Sequence, residues 1–113
     1  MNIQIFGKPK CFDTKKAERF FKERGIKYQL VNLSEYGINK RELESVINGV
    51  GSIDLILDQK SKDLDMALIK YLAKYEDKIE KILENPKILK TPIVRNGRLA
   101  TVGYCPDIWK KWE

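Results

Sequence analysis

The stretch GKPKCFDTKKAERFF, residues 7–21, places a single cysteine where a strand pattern gives way to a helix pattern. The preceding NIQIF alternates apolar and polar residues as a strand does, and a glycine and a proline then break the alternation. From about Asp13, apolar residues recur at helical spacing until Gly25 supplies a stop. Cys11 is therefore expected at the first strand-to-helix turn.

The next segments predict a strand and then a mostly helical middle. KYQLVNL, residues 27–33, indicates a second strand, so the first third of the chain predicts a βαβ unit with parallel strands. Asn39 is a cap candidate for a helix over NKRELESVINGVG. An apolar repeat from Leu64 to Leu83 predicts one bent helix or two, ending before Pro86.

The last third predicts a hairpin followed by a short helix. In TPIVRNGRLATVGY, β-branched residues flank Asn96 and Gly97, which indicates a two-residue turn between antiparallel strands. CPDIWKKWE then suits a helix that begins at Pro106. The predicted order is β-α-β, helices, β-β-α.

The aromatic residues of the later helices are expected to pack in the interior rather than to form a binding platform. Trp109 and Trp112 can share one helix face with Ile108 and anchor the last helix. Tyr71 and Tyr75 are expected to pack within the helical middle.

Composition limits the chemistry that the chain can perform. Its 113 residues include two cysteines and no histidine, so most metal and acid/base sites are excluded and no metal is expected. The net charge is +6, but basic residues alternate with acidic ones, so no direct nucleic-acid binding is expected. The chain lacks a long apolar run or a signal-peptide pattern, so we expect no membrane association and a cytoplasmic location with reduced thiols.

Cys11 has physical grounds for reactivity at the start of a helix. The first backbone N–H groups of a helix are unpaired and its dipole is positive there, so a thiolate is favoured. The same N–H groups, of Phe12, Asp13 and Thr14, would hold an oxyanion beside the sulfur. The alternative is a small buried hydrophobe, the usual fate of a free cysteine. Positive potential around Cys11 comes from Lys8, Lys10 and Lys15. The negative charge of Asp13 opposes it.

Three segments in this order resemble one known family. KPKCFDTKKAERFF, QKSK (residues 59–62) and LKTPIVRNGRLATVGY (residues 89–104) are similar to the glutaredoxin-linked arsenate reductases and the related Spx regulators. The resemblance covers essentially the whole chain. It implies a thioredoxin-like α/β fold in one domain, residues 1–113, with a mixed four-stranded sheet and a helical insertion at about 39–86. It also implies Cys11 as nucleophile, with glutathione or glutaredoxin as partner and no bound cofactor.

The chain departs from both branches of that family at specific positions. In the arsenate reductases three arginines surround the catalytic cysteine, and the matching residues here are Lys60, Thr91 and Cys105. Only Lys60 keeps the charge, and it lacks the bidentate fork of arginine. The Spx regulators carry a C-x-x-C switch, whereas Thr14 stands here where that motif has its second cysteine. These departures keep three hypotheses open.

The first hypothesis is a thiol protein resembling arsenate reductase, whose Cys11 acts on an oxyanion or a disulfide. The second is an Spx-like regulator that binds RNA polymerase, with the NGVGSID turn, residues 48–54, as the place to search for the interface. The third is a non-catalytic relative. The candidate site comprises Cys11 as nucleophile, Phe12, Asp13, Thr14 and Lys60 as anion-binding groups, and Lys8, Lys15, Thr91 and Pro92 as supporting groups.

Two further expectations concern Pro92 and Cys105. The resemblance implies a cis peptide before Pro92, with its backbone across from Cys11; the alternative is an ordinary proline at the start of a strand. Cys105 is expected at the cap of the last helix, and the family position implies a candidate resolving thiol for Cys11. The alternative for Cys105 is a surface cysteine, since an arginine at that family position reaches much farther than a cysteine can. Geometry decides between them, because a bridge to Cys11 requires Cα atoms within about 7 Å.

Overall fold

The chain folds around a four-stranded mixed sheet in which the first strand takes a central place. The computed structural model describes all 113 residues. β1 runs parallel to β2 and antiparallel to β3, and β3 forms an antiparallel hairpin with β4. The predicted α/β class and strand directions are confirmed. The strands are β1 (Ile3–Gly7), β2 (Tyr28–Asn32), β3 (Ile93–Asn96) and β4 (Leu99–Val102), in the order β2-β1-β3-β4.

Most of the helices lie between the second and third strands. The connection from β1 to β2 is a single helix, and the segment after β4 forms the last one. No helix in the fold combines the length and the apolar composition that crossing a bilayer demands. The helices are α1 (Phe12–Glu23), α2 (Leu33–Tyr36), α3 (Lys40–Val50), α4 (Leu64–Ile69), α5 (Tyr75–Glu84) and α6 (Pro106–Lys110), with short 3-10 turns at Asp54–Ile56 and Pro86–Ile88.

The apolar repeat from Leu64 to Leu83 forms two helices, α4 and α5. Asp63 caps α4 by accepting from the N–H of Asp65, and the Asn85 amide donates to both carboxylates at 3.0 Å. The end of α5 is thereby tied to the start of α4.

The break between α4 and α5 leaves two tyrosines outside the core. Tyr71 is 86% exposed and Tyr75 is 44% exposed, so the prediction that they pack within the insertion is wrong. The physical reason for Tyr71 is that α4 buries Met66 and Ile69, and a position two residues beyond Ile69 lies about 200° away around the helix axis, on the exposed side.

The hairpin turn lies one residue later than predicted. Asn96 pairs with Leu99, so the two turn residues are Gly97 and Arg98 rather than Asn96 and Gly97. Gly97 has φ of 59°, and no residue other than glycine has a positive φ. This matches a turn with glycine at its first central position, whereas a turn centred on Asn96 and Gly97 would require a positive φ at Asn96.

Two hydrophobic cores cover the two faces of the sheet. Along β1, Ile5 faces one core and Phe6 the other, as neighbouring residues of a strand must. The larger core joins the sheet to the helices between β2 and β3, and the smaller core joins it to α1 and α6. The central strand is thus buried on both sides, which gives the loop that follows it a rigid base.

Trp109 anchors α6 in the smaller core. Its ring is fully buried among the aromatic rings of α1, and its indole N–H donates to the buried Thr101 hydroxyl at 2.8 Å. Trp112 packs partly against the same core. Ile108 is 46% exposed, so the expectation that it shares the buried face is wrong, because that face is filled by Trp109.

Candidate functional site

Cys11 lies directly before α1, at the end of the loop that leaves β1. Its backbone is extended, with φ of −88° and ψ of 115°, and its N–H donates to the Lys8 carbonyl at 3.1 Å. The side chain makes no regular capping hydrogen bond, yet the backbone N–H groups of Thr14 and Asp13 lie close enough to the sulfur to favour its anion. The thiol is only partly buried and is free.

The surroundings of the sulfur lower the pKa of Cys11. Burial alone would raise this pKa, but hydrogen bonds from the side chains of Thr14 and Thr91, and from the backbone N–H groups of Thr14 and Asp13, outweigh it. Thr91 contributes two atoms, because its carbonyl oxygen lies 3.6 Å from the sulfur and accepts from the thiol, while its hydroxyl donates to the thiolate. The site therefore favours a nucleophilic thiolate.

Thr14 is held in place by the end of β1. Its side chain is 3% exposed, and its hydroxyl oxygen accepts from the N–H of Lys8 at 3.5 Å, which leaves the hydroxyl hydrogen for the Cys11 sulfur. Gly7 has no side chain at this contact, and a Cβ there would lie 2.3 Å from the Thr14 methyl carbon. Gly7 is thus required by the close approach of Thr14, a role that the sequence pattern alone did not indicate.

Lys8 links the loop of Cys11 to the chain segment that precedes Thr91. Its ammonium donates to the carbonyl of Lys87 at 2.7 Å and to that of Leu89 at 3.0 Å. Burial lowers the pKa of Lys8, and the charges of Asp58 and Cys11 oppose that effect. Asp58 was missed by sequence reasoning, because nothing near it in the chain indicates that it meets a residue fifty positions earlier.

Pro92 follows a cis peptide bond, and the residue before it faces the thiol. The Thr91–Pro92 bond is cis, as the family resemblance implied, and Thr91 is buried. The family resemblance matches Thr91 to one of the arginines that surround the catalytic cysteine of the arsenate reductases. Here that position supplies a carbonyl and a hydroxyl to the sulfur in place of a cation.

Three other predicted residues contribute less to the surroundings of the sulfur. The Phe12 side chain is 79% exposed, and the groups that shift the pKa of Cys11 do not include the Phe12 N–H. Lys60 is exposed, and its charge is also absent from that set. Lys15 is exposed and lines a cavity of about 160 Å³ that also touches Lys8.

Cys105 occupies a different environment from Cys11. It precedes α6, and its thiol donates to the Val102 carbonyl at 3.3 Å. Burial raises the pKa of Cys105, against the opposing effects of Lys90 and Thr101. The contacts of the two sulfurs are separate, and the role of Cys105 as a resolving thiol stays a prediction.

Comparison with known proteins places the chain in a family. Residues 6–112 match the model of the ArsC family. The chain is 31% identical over 130 aligned residues to the global transcriptional regulator Spx 2 of Oceanobacillus iheyensis, covering 100% of this chain and 94% of that protein.

Solved structures confirm the thioredoxin-like fold. A putative ArsC family related protein from Bacteroides fragilis superimposes with a TM-score of 0.86 at 23% identity, covering 100% of this chain and 98% of that one. An arsenate reductase from Vibrio cholerae gives a TM-score of 0.84 at 20% identity, covering 98% and 97%. The family match and the thiol at the start of α1 together support a thiol-based redox function. The chain belongs to the ArsC family.

Proposed function

We propose that the protein is a thiol reductase in which the Cys11 thiolate attacks a disulfide, with glutathione or a glutaredoxin as the reductant. The observation that carries this proposal is the set of hydrogen bonds around the Cys11 sulfur, which lowers its pKa while leaving the sulfur partly exposed. A nucleophile of this kind needs both a thiolate and access. Both thiols stay reduced in a reducing compartment such as the cytoplasm.

The reaction proceeds by three exchanges. The Cys11 thiolate attacks one sulfur of the substrate disulfide, forms a mixed disulfide, and releases the other sulfur as a thiolate that takes a proton from water. A glutathione thiolate then attacks the substrate sulfur of the mixed disulfide. That step makes a new disulfide between glutathione and the substrate and returns Cys11 as the thiolate. A second glutathione thiolate attacks the glutathione sulfur of that disulfide, which releases the substrate thiol and forms oxidised glutathione.

A disulfide fits the site better than an oxyanion such as arsenate. An oxyanion calls for fixed positive charge, and planar arginine forks are the groups that bind it best. Near Cys11 the half-buried cation is Lys8, whose ammonium already donates to two carbonyl groups. Lys60 is exposed to solvent. Reduction of arsenate is therefore expected to be slow compared with reduction of a disulfide.

The test is reduction of a small mixed disulfide by glutathione, coupled to glutathione reductase and NADPH, with arsenate turnover measured in parallel. We expect Cys11→Ser to abolish disulfide reduction and Cys105→Ser to retain it. Alkylation rates against pH report the ionisation of Cys11. A Cys11 thiol that titrates at about 8.5 or above, the value of an unperturbed cysteine, would contradict the proposal.

The second candidate is a regulator that binds RNA polymerase. Its specific support is the 31% identity to a protein named global transcriptional regulator Spx 2, over 100% of this chain. The measurement is binding of the purified chain to RNA polymerase by interferometry, with Cys11→Ser beside the wild type. Tight binding by both proteins, without disulfide reductase activity, would favour the regulator over the reductase.

A further inference from the structure

The two edges of the sheet differ in what covers them. At the β4 edge, α3 lies against the strand: a Cβ on Gly49 would lie 2.8 Å from the Arg98 carbonyl oxygen and 3.0 Å from the Ala100 nitrogen. The Val102 carbonyl accepts from the Cys105 thiol at 3.3 Å. A helix or loop over the edge of a sheet keeps other strands from pairing with it. The β4 edge is therefore closed.

The opposite edge, which β2 forms, is open. β2 pairs with β1 alone and ends the sheet on that side. Neither a side chain nor another backbone segment hydrogen-bonds to the N–H and C=O groups of residues 28–31 that point away from β1. Alternate residues of a strand direct these groups to opposite sides, so about half of them are free. They are available to a further strand.

β2 also lacks the features that keep an edge strand from pairing. Charged side chains, prolines and bulges are the usual ones. The strand YQLVN contains no charge and no proline, and it pairs with β1 in unbroken register, without a bulge. Leu30 at its centre is 47% exposed, and Gln29 is exposed too. An uncharged edge with an apolar centre favours association with another strand.

The side chain of Leu30 borders a cavity of about 160 Å³ between β2 and α1. Tyr28 points to the same side of the sheet, where its hydroxyl donates to Glu18 of α1 at 3.1 Å. Thr14, Lys15 and Glu18 belong to the opposite wall of the cavity, which therefore carries both signs of charge. A side chain on this face of an added strand finds space beside Leu30.

A second copy of the chain fits this edge. In an antiparallel pair with a two-fold axis at Leu30, the two Leu30 side chains lie opposite each other on the α1 side, beside both cavities. Gln29 then lies opposite Val31 of the second copy, and Tyr28 lies opposite Asn32. All of these side chains are uncharged. The contact removes the exposed leucine of both copies from water at once.

The charges near the strand permit this pairing. The nearest cation is Lys27, which precedes β2 and lies opposite Leu33 of the second copy. The Lys27 residues of the two copies are six positions apart along the pair, about 20 Å at roughly 3.4 Å per residue, which is well beyond the Debye length at physiological salt. The net charge of +6 on each copy still opposes association, so salt should strengthen it.

We propose that two copies pair through their β2 strands, antiparallel about an axis at Leu30, and join their four-stranded sheets into one. The proposal does not rest on the chemistry of Cys11. The Cys11 sulfur contacts Thr91, which leads into β3, on the other side of β1 from β2. Because the two β2 strands run in opposite directions, the two thiols lie at opposite ends of the joint sheet. The dimer therefore forms without a disulfide.

The test is sedimentation of the full chain with a reductant present, over a range of protein concentrations and at low and high salt. We expect a reversible equilibrium between monomer and dimer, with a dissociation constant that falls several-fold as the salt concentration rises. Amide hydrogen exchange should slow within residues 28–32 as the protein concentration rises, because free N–H groups of β2 become paired. Exchange within residues 99–102 of β4 should not change.

Substitutions at Leu30 test both the strand and its register. Leu30→Lys and Leu30→Glu each place like charges opposite each other at the axis, so each variant alone should be monomeric. An equimolar mixture of the two should dimerise, because opposite charges then meet there. The matched control is Leu64→Lys, which adds the same charge at a position that is 71% exposed on α4, and it should dimerise as the wild type does. Circular dichroism checks that each variant is folded.

Three results would overturn the proposal. The first is a wild type that stays monomeric at millimolar concentration and high salt. The second is a Leu30→Lys variant that dimerises as tightly as the wild type. The third is failure of the mixed variants to pair, because the axis would then not lie at Leu30.

Discussion

The sulfur of Cys11 lies 3.6 Å from the carbonyl oxygen of Thr91, a residue 80 positions later in the chain. Two segments therefore form the surroundings of the thiol: the turn from β1 into α1, and the loop that leads into β3. Lys8 joins the same two segments through the carbonyls of Lys87 and Leu89. A change in either segment is expected to alter the reactivity of Cys11.

Removal of the Thr14 hydroxyl should raise the pKa of Cys11. Thr14→Val keeps the shape of this buried side chain but removes the hydrogen bond that favours the thiolate. We expect slower alkylation of Cys11 at neutral pH and a titration displaced to higher pH. Thr14→Ser keeps the hydroxyl and is the matched control. An identical titration for Thr14→Val and the wild type would show that the backbone N–H groups suffice.

Cys11 should make the stability of the protein depend on pH. The pKa of Cys11 is lower in the folded chain than in the unfolded one, so between these two values the unfolded chain binds more protons. The contribution to the free energy of unfolding is fully present above the unfolded-state pKa, about 8.5, and is lost as the pH falls through the folded-state pKa. The difference between the wild type and Cys11→Ser should therefore widen as the pH rises to about 8.5.

Cys105 should make stability depend on pH in the opposite direction, and Cys105→Ser tests this. The pKa of Cys105 is raised in the folded chain, so its contribution to stability is present below the unfolded-state pKa and falls as the pH rises through the folded-state value. Urea unfolding at several pH values measures both variants. Parallel curves for the wild type and Cys11→Ser would contradict the proposed ionisation.

The two thiols should react in a fixed order. The pKa of Cys11 is lowered and that of Cys105 is raised, so at neutral pH a larger fraction of Cys11 is thiolate. With limiting iodoacetamide, peptide mass spectrometry should find Cys11 alkylated first. The control is the urea-unfolded chain, in which the rates of the two cysteines should converge. Faster alkylation of Cys105 in the folded chain would reverse the assignment.

Lys8→Met should loosen the turn that carries Cys11. The variant keeps most of the aliphatic stem but removes the donor to the Lys87 and Leu89 carbonyls. Hydrogen bonds made by a charged group contribute roughly 1.5–3 kcal/mol, and the partial exposure of this one favours the lower end, about 1.5 kcal/mol in the free energy of unfolding. The pKa of Cys11 should rise as well, since a neighbouring positive charge is lost.

The control for that variant is Lys10→Met. Lys10 is exposed, and it makes neither of the hydrogen bonds that Lys8 makes to the Lys87 and Leu89 carbonyls. Denaturant unfolding and alkylation of Cys11 should both match the wild type. Equal behaviour of the two variants would show that the contacts of Lys8 have no special effect.

Thr101→Val should destabilise the smaller core without changing Cys11. The Trp109 indole N–H donates to the buried Thr101 hydroxyl at 2.8 Å, and valine would leave this donor unpaired. A buried unpaired donor costs about 1–3 kcal/mol in the free energy of unfolding. Thr101→Ser keeps the hydroxyl and should recover most of the loss in a urea titration. Equal free energies of unfolding for Thr101→Val and the wild type would contradict this role of the Thr101 hydroxyl.

The sequence predicted the elements that depend on local patterns. The position of Cys11 at the start of a helix follows from a glycine, a proline and helical spacing within a few residues. The same holds for Asn39, whose side chain accepts from the Glu42 N–H at 2.8 Å and whose own N–H donates back to Glu42. Local hydrogen-bonding chemistry has a signature that can be read without the fold.

The contacts that tune the thiol were less predictable, because they join distant parts of the chain. Asp58 meets Lys8 only after the insertion folds back, and the fit of Gly7 against Thr14 is a distance rather than a pattern. The sequence singled out Thr91 because it stands where the family resemblance places an arginine. The contacts of its carbonyl and hydroxyl with the Cys11 sulfur could be seen only in the structure. The prediction for Tyr71 was wrong for a related reason, since packing decides which face of α4 is buried.

The central place of β1 has a consequence for the order of events during synthesis. Phe6 of β1 pairs with Ile93 of β3, so β1 cannot complete its pairing on that side until the last third of the chain has left the ribosome. Until then Cys11 lacks its contact with Thr91, one of the residues that lower the pKa of the thiol. The nascent chain therefore carries a less reactive cysteine, and the thiol reaches its full acidity only when translation of the domain is nearly finished.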